Sequence, residues 1–130
     1  MIGDITGYPS LDTFCLDGKC LNQLPFLLVD HTDNIQNYHG SGMIGLAPTN
    51  QGTGAKMFVP ELYRQGLIPR SLFALFLHGG KHHSHLTLGG YDLNSYAKAG
   101  ERITWLPILN TGLWEFRVSR IKLGSYHLST

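Results

Sequence analysis

Short apolar runs, separated by glycines, prolines and polar clusters, make up most of this chain. Residues 11–16, 24–29, 86–88, 102–109 and 113–123 are rich in Leu, Ile, Val, Phe or Trp and are bounded by turn-formers, which predicts β-strands. In the last of these runs Trp114, Phe116, Val118 and Ile121 fall on one face. Glu115, Arg117 and Ser119 fall on the other, with a bulge expected near Arg120. Residues 122–127 predict a hairpin tip that opens a further strand. Helical signals are fewer. Phe58, Leu62 and Tyr63 stand at helical spacing, Pro60 suits a first turn, and Gly66 is a natural stop after Gln65. A second short helix is expected from Pro69, carrying Leu72, Phe73 and Phe76. The pattern predicts a mostly β globular protein with one or two short helices.

Composition supports that class. Charged residues are only 15% of the chain, whereas exposed helices are usually laced with Glu and Lys. Ten Lys and Arg stand against nine Asp and Glu, so neither a basic nucleic-acid face nor an acidic tail is expected. No apolar run approaches the roughly 20 residues of a membrane-spanning helix. Met1-Ile2-Gly3-Asp4 has no basic start and no apolar core, so no signal peptide is expected in this chain.

Cys15 and Cys20 bracket Leu16-Asp17-Gly18-Lys19, and Asp-Gly between apolar runs signals a hairpin. Such a turn sets the two cysteines opposite each other, which in an oxidising compartment predicts a disulfide. Two free thiols on a tight turn remain the alternative. His78, His82, His83 and His85 crowd another turn, and imidazoles at such spacing can hold Zn²⁺, Ni²⁺ or Cu²⁺. No carboxylate or cysteine neighbours them, so a solvated loop without a metal is the expectation.

A series of motifs narrows the class further. Gly40-Ser41-Gly42-Met43-Ile44-Gly45-Leu46-Ala47 resembles the Asp-Gly-Ile-Leu-Gly-Leu-Ala segment of pepsin-like aspartic endopeptidases. Residues 59–68, ending Gln65-Gly66-Leu67-Ile68, are similar to that family's helix ending in Gln-Gly-Leu-Val. Residues 71–77 match Asp-Leu-Phe-Ser-x-Tyr-Leu, and Leu86-Thr87-Leu88-Gly89-Gly90-Tyr91-Asp92 matches Leu-x-Leu-Gly-Gly-x-Asp. Ile103-Thr104-Trp105-Leu106-Pro107-Ile108, Leu113-Trp114-Glu115-Phe116 and Ile121-Lys122-Leu123-Gly124 continue the series in family order. Upstream, Gly3-Asp4-Ile5-Thr6-Gly7 and Asp12-Thr13 resemble the stretch just past the tip of the flap, the hairpin that closes over bound peptide.

The resemblance implies an all-β, pepsin-like acid protease fold, bilobal in the parent. Residues 1–99 would be the second half of the N-terminal lobe, and 100–130 the link into the C-terminal lobe. It implies an aspartic-type endopeptidase without metal or cofactor, acting on protein or peptide substrate, secreted or lysosomal/vacuolar in the parent. In that family two aspartates, each in an Asp-Thr-Gly loop, share a proton and activate water. Neither triplet occurs here, and Asp12-Thr13-Phe14 ends in Phe where the loop needs glycine. Family spacing places the triplets and the flap tyrosine outside these residues, so no catalytic residue is assigned and the chain alone is expected to be inactive. The alternative is a non-catalytic binder or inhibitor on the same scaffold. Substrate-binding positions carried over by the resemblance are Gly3 and Asp4 on the flap arm, Met43 on a pocket wall and Leu113 near the primed side. The expected partners include the flanking segments of the same fold, without which several strand edges go unpaired.

Overall fold

The computed structural model describes residues 3–35, 38–49, 52, 54–79 and 83–128. β1 (Asp4–Leu16) and β2 (Lys19–Asp33) form a long antiparallel ribbon closed by Asp17 and Gly18. Both turn residues have positive φ, 49° and 73°, the left-handed geometry whose twist suits a two-residue hairpin. Cys15 pairs with Cys20 in register, and the two form a disulfide with Cα atoms 4.0 Å apart. The ribbon runs well beyond the expected 11–16 and 24–29. Its outer part carries polar residues on a ribbon open to solvent, so no alternation marks it. Two register shifts interrupt it. Asp30 is an extra residue between the Thr6–His31 and Gly7–Val29 pairs, and Thr13 faces both Asn22 and Gln23, the latter at φ 51°.

α1 (Phe58–Arg64) forms where Phe58, Leu62 and Tyr63 predict it. Its end is fixed by backbone hydrogen bonds. Gly66 N–H donates to Tyr63 O (3.0 Å) and Leu67 N–H to Leu62 O (2.9 Å), with Gly66 at φ 71°. This is a Schellman stop, which needs a left-handed residue and so favours glycine. Glu61 and Arg64 close a bidentate pair on the outer face (2.7 and 2.9 Å to Oε2), and the guanidinium holds the Glu61 carboxyl below its ordinary range.

Phe58, Val59 and Leu62 of α1 meet Leu21 of β2 and Ile68 to form the core among the described residues. Phe14 packs edge-on to Phe58, with ring centroids 5.5 Å apart. The ribbon root and the helix thus bury each other.

The expected helix after Pro69 is instead a strand. β3 (Phe73–Phe76) pairs antiparallel with β4 (His85–Leu88), Phe73 against Leu88 and Phe76 against His85. Leu-Phe-Ala-Leu-Phe-Leu is apolar throughout, and such a run carries no period to separate helix from strand; the partner downstream decides. α2 (Leu93–Tyr96) is a single turn, N-capped by Asp92, whose Oδ1 accepts the Ser95 N–H at 3.0 Å.

The strands expected at 102–109 and 113–120 do not form among the described residues. Pro107 lacks a donor, and Trp105, Leu106 and Ile108 are exposed with no strand beside them. Instead a tight loop closes where Leu109 N–H donates to Glu115 O (2.7 Å). Only β5 (Ile121–Leu123) and β6 (Tyr126–Leu128) pair, across Gly124 at φ 60°.

The three sheets seen among the described residues are each two-stranded. The chain exposes 11085 Å², against roughly 6,800 Å² for a folded monomer of its mass.

Candidate functional site

Gly3 and Asp4 stand at the open end of the ribbon, where Asp4 pairs with Asp33. A Cβ on Gly3 would lie 2.3 Å from Ile35 Cγ2 and 2.9 Å from Asp33 O, so only glycine fits against the returning strand. Nearby, the Thr6 hydroxyl donates to Asp30 Oδ1 at 3.4 Å. Met43 lies in the irregular segment after β2 and is 83% exposed, so it is not part of the core. That segment is tied locally, because the Tyr38 hydroxyl donates to Gly42 O. Leu113 sits in the loop closed by Leu109 and Glu115 and is also exposed.

A cleft of about 520 Å³ lies elsewhere. Its walls are the 45–48 segment, Met57 with the start of α1 (Phe58 to Pro60), Ser71 to Phe73 with Leu75, and Trp105 and Trp114. Gly3, Asp4, Met43 and Leu113 are not among its lining residues. Trp114 ties the segment after residue 100 to this cleft. Its indole N–H donates to Leu46 O at 2.6 Å, and its ring stands edge-on to Phe73 at 5.7 Å. The motif series reads Trp105 and Trp114 as strand residues. Their amphipathic rings, large and able to donate one hydrogen bond, were the signal for a wall.

The carboxylates are spread out. Asp12 Oδ1 accepts the Thr13 N–H at 2.7 Å, and Asp30 takes the Thr6 hydroxyl. Asp92 caps α2, where the Ser95 hydroxyl and backbone N–H hold its carboxyl below the ordinary range. No group of three or more His, Cys, Asp or Glu among the described residues is placed to hold a metal ion, and His82 lies outside those residues. Among the described residues no helix is long and apolar enough to cross a membrane.

The family described as eukaryotic aspartyl protease matches residues 2–130. The chain belongs to that family. Its mostly stranded structure agrees with the all-β, pepsin-like class. Among curated relatives, this aspartyl protease chain is similar to pepsin A of Bos taurus, with 26% identity over 125 residues, 94% of the chain and 33% of the relative. It is 27% identical to pepsin A of Sus scrofa over 125 residues, 93% of the chain and 32% of the relative. Against pepsin A-5 of Mus musculus it is 36% identical over 85 residues, 64% of the chain and 21% of the relative. The chain therefore spans about a third of the length of the pepsins it matches along most of its own length. No solved structure matches it.

Proposed function

We propose that these residues are the central part of an aspartic endopeptidase, reaching from just past the flap tip to just before the second Asp-Thr-Gly loop. The observation that carries this reading is the family match along residues 2–130, with the motifs in family order. Residues 1–99 are read as the second half of the N-terminal lobe and 100–130 as the link into the next. Gly3 and Asp4 would contact substrate through the flap arm, Met43 through a pocket wall and Leu113 on the primed side. Protein or peptide would be the substrate, in a secreted or lysosomal/vacuolar setting, with no metal or cofactor.

The chemistry needs two carboxylates close enough that both cannot ionise, sharing a proton and polarising a water. No Asp-Thr-Gly or Asp-Ser-Gly triplet is present in the 130 residues, and Asp12 and Asp92 are engaged by neighbouring backbone N–H groups. The chain alone therefore lacks the acid–base pair and is inactive. Purified chain incubated with casein or denatured haemoglobin at about pH 2 to 6 should release no peptides. Pepstatin-sensitive cleavage by this chain would overturn the assignment.

A further inference from the structure

At the end of α1 the side chain of Gln65 pairs with the backbone of the ribbon root. Gln65 occupies the C-cap of α1, and its backbone is held there by the Schellman bonds of Gly66 and Leu67. Its side-chain Oε1 accepts the Asn22 N–H at 3.0 Å, and its Nε2 donates to Asn22 O at 2.9 Å. One primary amide thus satisfies both peptide groups that Asn22 presents, as a neighbouring strand would. Asn22 is offered this way at the register shift, where it and Gln23 together face Thr13. Around this pair, Lys19 Nζ donates to Leu67 O at 2.6 Å, Leu21 is buried against α1, and the disulfide closes the tip.

We infer that Gln65 is a positioning residue that locks the root of the β1–β2 ribbon onto α1 and thereby sets the direction of the arm ending at Gly3 and Asp4. The substrate-arm role rests on the proposed function above, whereas the lock itself does not. The outer ribbon gains no third strand among the described residues, so its orientation is set where it is anchored. The side chain must supply an acceptor and a donor at once. Alanine supplies neither. A glutamate carboxylate accepts the N–H but faces Asn22 O with negative charge. A protonated glutamic acid again offers one acceptor and one donor.

Amide hydrogen exchange on the 130-residue chain tests this, with Gln65→Ala and Gln65→Glu compared with wild type. In wild type the Asn22 amide should be protected. In Gln65→Ala it should exchange about tenfold faster, the loss of roughly one net hydrogen bond, with the Gln65 and Leu67 amides reporting that α1 persists. The amides of Asp4 to Gly7 should exchange faster as well. Gln65→Glu should protect Asn22 less than wild type at neutral pH, because the carboxylate repels Asn22 O, and should gain Asn22 protection, relative to alanine at the same pH, once the carboxyl is protonated. An unprotected Asn22 in wild type, an unchanged Asn22 in Gln65→Ala, or no acid recovery in Gln65→Glu would each overturn the lock. A faster Asn22 with an unchanged Asp4 to Gly7 would overturn the positioning role. Failure of the proteolytic reading shows only in peptide-release assays and leaves the Asn22 result intact.

Discussion

The ribbon root with α1 and the stretch from residue 102 to 128 carry similar apolar content but reach different ends. Leu21, Phe58, Val59, Leu62 and Ile68 are buried in the first. In the second, Trp105, Leu106, Ile108, Leu113, Trp114, Phe116, Val118 and Leu123 are exposed. The first region closes on itself through three short-range devices, a left-handed two-residue turn, a disulfide and a Schellman stop, and through one long-range one, an amide that imitates a strand. The second has a good strand pattern, but among the described residues only β5 and β6 at its end pair. Alternation says which face a strand would bury, but a strand forms only where another edge satisfies its peptide groups. Stability in this molecule follows the partners that are present, not the hydrophobic content.

Truncating one side chain in each region should give the largest contrast. Leu21 is 1% exposed, so Leu21→Ala should remove about 3 kcal/mol through lost transfer energy and the cavity left behind. Phe116 is 50% exposed, so Phe116→Ala should cost well under about 1 kcal/mol. Denaturant titration followed by exchange of the Leu62 and Leu67 amides reads both. Equal costs would mean that residues 102–128 are as tightly packed as the core, and the contrast would fail.

The disulfide comes next in size. Replacing Cys15 and Cys20 together by serine frees a short loop, for which chain-entropy arguments give about 2 kcal/mol. The loss should fall on the ribbon root and α1 and leave β5–β6 untouched. Intact mass before and after alkylation, without reductant, checks that native material carries the bond. Quantitative alkylation of both thiols in native protein would contradict it.

What could be read in the chain beforehand follows the same division. Asp17-Gly18 with its flanking cysteines, and the Gln65-Gly66 stop, are local signals, and the structure forms a turn, a disulfide and a helix end at those places. The helix expected from Pro69, carrying Leu72, Phe73 and Phe76, is a strand because β4 pairs with it, and no local signal announces that partner. Of the strands expected at 102–109 and 113–123, only the second has a clear alternation, and among the described residues only its end, β5, finds a partner. The motif order made the family legible. The pair of hydrogen bonds between Gln65 and Asn22 was not, because it joins residues 43 apart in sequence at a register shift, and no period marks a register shift. Gly3, Asp4, Met43 and Leu113 are carried over by motif, whereas the cleft walled by Trp105 and Trp114 is assembled from segments far apart in sequence.

The smallest expected effect separates the two helices by pH. α1 buries three side chains, whereas α2 buries none and depends on its Asp92 cap. The folded-state pKa of Asp92 is depressed by Ser95. Its contribution is therefore present above the unfolded pKa and is lost as pH falls through the folded value. Glu61 on α1 is depressed in the same direction by Arg64, but packing of Phe58, Val59 and Leu62 does not titrate. Between about pH 7 and pH 3, after correction for intrinsic exchange, the Ser95 amide should stay level and then lose protection below the ordinary carboxylate range. The Gln65 amide, at the end of α1, should change little. Asp92→Asn keeps an oxygen acceptor for the Ser95 N–H and removes the titration, so its Ser95 profile should be flat throughout. Equal acid sensitivity of Ser95 and Gln65, or an Asp92→Asn profile that still falls with pH, would show that the cap carboxylate is not what distinguishes the two helices.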